Sequence, residues 1–226
     1  MKDEQKQTEK FEHCWQAFTR QQITRGVTRR EFPQWHKDRD RYYVWTIEIR
    51  SPEIQARIDQ ISDICKAYLL DDYQRIPHIT VFVAGFLQQA VIHDDDFDDA
   101  ALEAQKTILT SASPNIRLSV AGVNSFLSCP FLEIIDEENA LQKIRNELFS
   151  LYEQPHRPEI RDGDYLPHIT LGLYNSDYPC QQIATLLSEY RKLEPISLLV
   201  DNITLMSYDA KVIGSSLNVE TIVHFT

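Results

Sequence analysis

The sequence predicts an α+β chain made of two copies of one unit. The expected fold is a duplicated, two-lobed one, with two mainly antiparallel sheets, outer helices, a central cleft and a pseudo-two-fold axis. Three observations predict it. The tetrapeptide Pro-His-Ile-Thr occurs at residues 77–80 and again at residues 167–170, 90 residues apart. Each copy runs on into a short apolar segment with β-branched or aromatic residues, closed by a breaker, Gly85 or Asn175. The order strand, helix, motif strand, helix, strand surrounds both copies, a self-similarity too long for accident.

The elements follow in order. Residues 9–22 have a helical pattern, and residues 25–41 form a polar, basic connector that holds Phe32, Pro33, Trp35 and His36. Residues 1–41 resemble neither repeat and are read as an N-terminal extension, packed on the body or partly disordered, rather than as a substrate-binding arm. The repeat domain spans residues 42–226, with halves at about 42–126 and 127–226. Its first strand is 42–49, followed by a helix with Ile54, Ile58, Ile61, Ile64 and Leu69 at helical spacing. After the motif strand, residues 97–109 read as a helix and 116–120 as a strand. The second half offers a strand at 130–135 and a helix with Leu141, Ile144, Leu148 and Leu151. Its motif strand is followed by a helix at 181–193 and a strand at 196–200. The parallel reaches Val123-Asn124-Ser125-Phe126 and Leu205-Met206-Ser207-Tyr208.

Within a strand, residues i and i+2 share a face, so His78 and Thr80 point together, as do His168 and Thr170. Ile79, Val81 and Val83 face the other way, like Ile169, Leu171 and Leu173, and are placed to anchor each strand in a core. By the same parity Phe82, Ala84, Gly172 and Tyr174 share the histidine face. Pro77 and Pro167 suit a strand's first residue, where no ladder donor is required.

Composition excludes several functions. Of 226 residues, 42% are hydrophobic and 25% charged, an ordinary balance for a soluble domain. No apolar run reaches membrane-spanning length and the first residues contain no signal-peptide apolar stretch, so no membrane partner is expected. Cys14, Cys65, Cys129 and Cys180 form no CxxC pair, which fits reduced thiols and a cytoplasmic location better than a disulfide framework or a zinc site. Residues 1–42 carry a net charge of +3 and residues 43–226 a net of −14. Such an acidic body binds polyanions poorly, so long duplex DNA is not an expected partner. The acidic run at residues 94–99 lacks the Gly and downstream Glu of a calcium loop, and is expected to be a solvated helix start.

Two histidines on equivalent strands suit acid–base catalysis in which one gives a proton and the other takes it. If the motif strands face each other across a cleft, the imidazoles flank one tetrahedral atom, and the threonine hydroxyls bind its non-bridging oxygens. A phosphate meets those requirements without a metal, and neither a metal site nor a cofactor is expected.

The doubled His-x-Thr in a duplicated α+β chain resembles the 2H phosphoesterase superfamily, over about residues 42–226. That family includes RNA 2′,3′-cyclic phosphodiesterases and bacterial 2′-5′ RNA ligase-like proteins. The resemblance implies His78 and His168 as the catalytic pair and Thr80 and Thr170 as phosphate ligands. It also implies a metal-independent phosphodiesterase that acts on a small nucleotide or RNA end bearing a ribose 2′-oxygen. Arg75 and Tyr165, each three residues before a motif histidine, are candidates for phosphate contact and base stacking. Phe126 and Tyr208 at equivalent strand ends are candidate nucleobase platforms, and Tyr174 a further cleft residue. His13, His36, His93, His156 and His224 lack a partner pattern and are read as structural or surface residues, His156-Arg157 being the least bland. The chain is expected to act as a monomer. The alternatives are 2′-5′ ligation by the same residues, or a nucleotide- or RNA-binding module without turnover.

Overall fold

The first strand of the repeat, β1 (Arg41–Glu48), sends Trp45 and Ile47 into the core and Tyr42 and Val44 to the opposite face. The computed structural model that shows this describes residues 2–27, 32–111, 116–152 and 165–225, so His156 and Arg157 lie outside the described residues. The other strands are β2 (His78–Leu87), β3 (Asp96–Phe97), β4 (Ile116–Ser125), β5 (Pro130–Ile135), β6 (His168–Thr170), β7 (Ile196–Val200), β8 (Asn202–Asp209) and β9 (Asn218–His224). The helices are α1 (Lys2–Arg20), α2 (Phe32–His36), α3 (Pro52–Cys65), α4 (Asp99–Thr110), α5 (Ala140–Phe149) and α6 (Cys180–Leu187). No helix among the described residues is long and apolar enough to cross a membrane.

Local chemistry sets the helix starts. Ser51 accepts a bond from the Ile54 amide ahead of Pro52, a residue suited to a first helical turn. Asp98 caps α4 through the Ala101 amide at 2.8 Å. The Asp136 carboxylate accepts from the Ala140 and Leu141 amides at 3.0 and 2.8 Å, holding the start of α5.

The strands lie in the order β7-β4-β5-β6-β2-β1-β8-β9, with β3 beside β2. They form one nine-stranded sheet, in which two antiparallel four-stranded blocks meet at the pair Ile79 with Ile169 and β3 runs parallel to β2. The order is symmetric about that seam, as duplication predicts, but the lobes are not the sequence halves. Strand β4 of the first half pairs with β5 of the second, and β8 of the second pairs with β1 of the first. Each half therefore completes the other's block. Helices α3 to α6 cover one face with a continuous core that includes Trp45, Ile54, Ile79, Leu109, Leu132 and Leu187. A smaller apolar cluster on the opposite face gathers Tyr42, Val44, Phe86, Met206 and Tyr208.

Three expectations are corrected. Strand parity would place Phe82 and Ala84 beside His78, yet both lie fully buried in the main core. The β1–β2 register shifts between Tyr43 and Val44 and between Trp45 and Thr46, and each shift reverses the side-chain alternation. The acidic run is not simply a solvated helix start. Asp95 and Asp96 are buried and hold the Arg39 guanidinium, with Asp95 at 2.7 and 3.1 Å, while Asp98 alone caps the helix. Phe97 belongs to β3, and α4 starts two residues later than the apolar pattern suggests.

Helix α1 is longer at its start than its apolar pattern and buries Phe11 and Phe18. All four cysteines are free, and burial pushes the Cys65 and Cys129 thiols up to about 11.

Candidate active site

His78 opens β2 and His168 opens β6, both following a proline that has no amide to donate, while the Pro77 and Pro167 carbonyls accept from the Ile49 and Ile134 amides at 3.0 and 3.1 Å. The Ile79–Ile169 pairing is antiparallel, so its register sets His78 across from Thr170 and Thr80 across from His168 on the face opposite the main core. Directly opposed residues have Cβ atoms about 5 Å apart, which gathers the four side chains into one small patch. The two isoleucines between them are completely buried and peg the seam.

The histidines are held identically. Nδ1 of His78 bonds the Ile76 carbonyl at 2.8 Å, and Nδ1 of His168 bonds the Leu166 carbonyl at 2.7 Å. A carbonyl only accepts, so Nδ1 carries the hydrogen in both rings and Nε2 is left for a ligand. Burial is the main force on both acidities, since it disfavours imidazolium. The His78 pKa is pushed down to about 4 by burial, with the Arg75 and His168 charges adding to it against the Ile76 carbonyl. His168 is lowered by burial, opposed by the Leu166 carbonyl. Both imidazoles are thus neutral at neutral pH when the site is empty.

Thr80 and Thr170 are partly exposed beside them. The Thr170 hydroxyl lies against the Cys129 thiol. Arg75 reaches the patch as its charge acts on His78, and its guanidinium stacks on Tyr208 at 3.9 Å with Nε buried and unbonded. Phe126 stacks on Phe131 at 4.2 Å and meets the His168 ring edge-on at 5.1 Å.

Three other candidates are placed differently. Tyr208 is buried and touched by Arg75, but cross-strand register makes Met206, not Tyr208, the counterpart of Phe126. Tyr165 turns from the cleft: its hydroxyl donates to the Thr80 carbonyl at 2.9 Å, and Arg145 of α5 covers its ring at 3.9 Å. Tyr174 is only 1% exposed and shares a 2.7 Å hydrogen bond with the Ser125 hydroxyl inside the core. Gly172, with φ of 152°, abruptly redirects the chain after β6, so strand parity ends before Tyr174.

Other residues join the site without having been singled out in the sequence. Phe131 lies 5.2 Å from the His168 ring. Glu133 is the cross-strand partner of His168, and Glu48 that of His78. Glu133 is buried with Asn124 at 2.7 Å and Arg191 at 2.5 Å. Burial raises its pKa against the pull of Arg191. Glu48 is more exposed and pairs with Arg50 at 2.5 Å. The doubled signal was there, as Ile47-Glu48-Ile49 and Leu132-Glu133-Ile134, but only the pairing register sets each carboxylate opposite a histidine. Among the described residues, no group of three or more His, Cys, Asp or Glu side chains is arranged to hold a metal ion.

Two neutral imidazoles with free Nε2 atoms, two hydroxyls and a nearby guanidinium can bind a tetrahedral anion and move protons on either side of it. The sequence model of the 2′-5′ RNA ligase superfamily matches residues 51–212. No curated protein matches the chain. Among solved structures, TT0787 of Thermus thermophilus is similar at 14% identity and a TM-score of 0.56, over 81% of this chain and 97% of that one. E. coli LigT, in its complex with NADP+, is similar at 16% identity and a TM-score of 0.50, over 84% of this chain and 99% of LigT. The Agrobacterium tumefaciens protein ATU0111 is similar at 13% identity and a TM-score of 0.53, over 83% of this chain and 87% of that one. At these identities the likeness is one of fold.

Proposed function

The chain belongs to the 2′-5′ RNA ligase superfamily, and from that premise we propose that it is a metal-independent phosphodiesterase acting on a 2′,3′-cyclic phosphate or a related 2′-linked nucleotide. The observation that carries the reading is the reciprocal antiparallel placement of His78, Thr80, His168 and Thr170, with both Nδ1 atoms on backbone carbonyls. The threonine hydroxyls donate to the non-bridging oxygens of the phosphate. Its negative charge favours imidazolium, so the bound substrate recruits one proton to the pair. The imidazole that stays neutral takes a proton through Nε2 from water as the water oxygen attacks phosphorus. The imidazolium gives its proton to the ribose oxygen whose bond to phosphorus breaks. At the end the base holds a proton and the acid has lost one, so proton exchange with solvent restores the pair. Arg75 stabilises charge on the phosphate, and Phe126 offers a ring for the base. That LigT is seen in complex with NADP+ supports a ligand of nucleotide size.

The test is incubation with nucleoside 2′,3′-cyclic phosphates in EDTA. Turnover is expected to survive EDTA and to be lost in both His78→Ala and His168→Ala; turnover that persists in both variants, or none on any such substrate, overturns the proposal. The family match favours a second reading, the joining of RNA ends through a 2′-5′ bond, and the appearance of joined product from RNA halves would select it.

A further inference from the structure

Helix α1 walls the cleft on one side. On the lobe of His168, α1 runs along β4 and β5 over the face that bears Phe131 and Glu133. Gln7 pins its start, donating to the Ile134 carbonyl at 3.0 Å and accepting from the Asp136 amide at 2.8 Å. One turn later Phe11 packs on Phe131 with ring centroids 6.3 Å apart, and its carbonyl accepts from Asn124 at 2.8 Å. Cys14, a turn further on, donates its thiol to the Ser125 carbonyl at 3.8 Å. Asn124 and Glu133 are consequently 0% and 7% exposed, although neither faces the main core. On the other lobe, Trp35 of α2 packs on Tyr42 at 4.9 Å and on Phe86 at 5.5 Å, and Arg39 covers the Phe86 ring at 3.7 Å.

What stays open on this face is the strip at the seam, where Thr80, His168, Thr170, Phe126 and Arg75 are each partly exposed. A ligand centred there that extends across β5 meets α1.

We propose that helix α1 acts as a size filter, restricting the site to a single nucleotide unit and excluding oligonucleotides that run across β5 and β4. The inference rests on the phosphodiester reading above and names the substrate class within it. The segment lies before the residues matched by the family model, so the filter is a property of this chain's own extension. Phe11 and Gln7 are its specificity-determining residues, acting through the position of α1 and not through the chemistry.

The test compares kcat/KM for a nucleoside 2′,3′-cyclic phosphate with that for a trinucleotide ending in the same group. The intact chain is expected to prefer the mononucleotide by about tenfold or more, as blocked binding of the longer ligand requires. Phe11→Ala and Gln7→Ala are each expected to raise the relative rate on the trinucleotide about tenfold with the mononucleotide rate unchanged. Gln7→Ala leaves the apolar packing intact and serves where Phe11→Ala fails to fold. Equal use of both substrates by the intact chain, or variants that change both rates alike, overturns the filter. If neither substrate turns over, the phosphodiesterase reading fails separately. The same ratio, read from calorimetric binding of a 3′-phosphorylated mononucleotide and trinucleotide, then decides the filter.

Discussion

Tyr165 reaches across the seam between the lobes and donates its hydroxyl to the carbonyl of Thr80 at 2.9 Å. The bond joins the loop that precedes one motif histidine to the strand that carries the other motif, beside the Ile79–Ile169 pair. Removing the hydroxyl with Tyr165→Phe should cost about 1 kcal/mol of stability in urea denaturation. It should also lower kcat more than it raises KM, because it loosens the spacing of the two motifs without touching a ligand. An unchanged kcat would mean that the hydroxyl does not set the spacing of the motifs.

The threonine hydroxyls should act on bound phosphate. Thr80→Val and Thr170→Val keep the shape and β-branching of the strand while deleting the donor. Each should cost about 1–3 kcal/mol of transition-state stabilisation, roughly ten- to a hundredfold in kcat/KM on a cyclic nucleotide. Circular dichroism spectra matching the parent would show that the loss is local.

His78 makes stability depend on pH in a defined direction. Its folded pKa is about 4 against an ordinary 6.5, so between those values the unfolded chain binds more protons than the folded one. The stabilisation is complete above about pH 6.5 and is lost as pH falls toward 4, on the order of 3 kcal/mol in all. His78→Gln removes that titration and should flatten urea midpoints across the window. A parallel curve for the variant would refute the assignment to His78.

Phosphate binding should consume a proton. Both imidazoles are neutral in the empty site, and an anion between them favours imidazolium. Calorimetric titration of inorganic phosphate at pH 7.5, repeated in two buffers of different ionisation enthalpy, should show net proton uptake, with affinity strengthening as pH falls toward 6. The uptake should vanish in the double variant His78→Ala, His168→Ala.

Arg39 should matter to folding. Its guanidinium is buried with the Asp95 and Asp96 carboxylates and covers Phe86. Arg39→Ala removes the guanidinium that both buried carboxylates face and should destabilise the protein by about 3–5 kcal/mol in urea denaturation. A change under 1 kcal/mol would show that the pair is not buried in solution.

Much of this was legible in the chain because it depends on local spacing. Two His-x-Thr segments with matching surroundings identify the duplication, since a strand's two-residue period turns His and Thr together without reference to anything distant. The failures of strand parity share one cause. Phe82, Ala84 and Tyr174 left the cleft face because two bulges and the turn at Gly172 reset the alternation, and a strand's partner, absent from its own sequence, decides where a bulge falls.

By itself the sequence determined the doubled His-x-Thr motif, the repeated order of elements and the two-lobed class, all written in residues close together in the chain. Only the tertiary structure decided which strands complete which lobe, that β4 and β8 cross over, and that Glu133, Glu48 and Phe131 flank the histidines. It also decided that α1 lies over β4 and β5 beside them. Those relations join residues as far apart as Phe11 and Phe131. They arise from the burial of complementary surfaces, which no periodicity within either segment encodes.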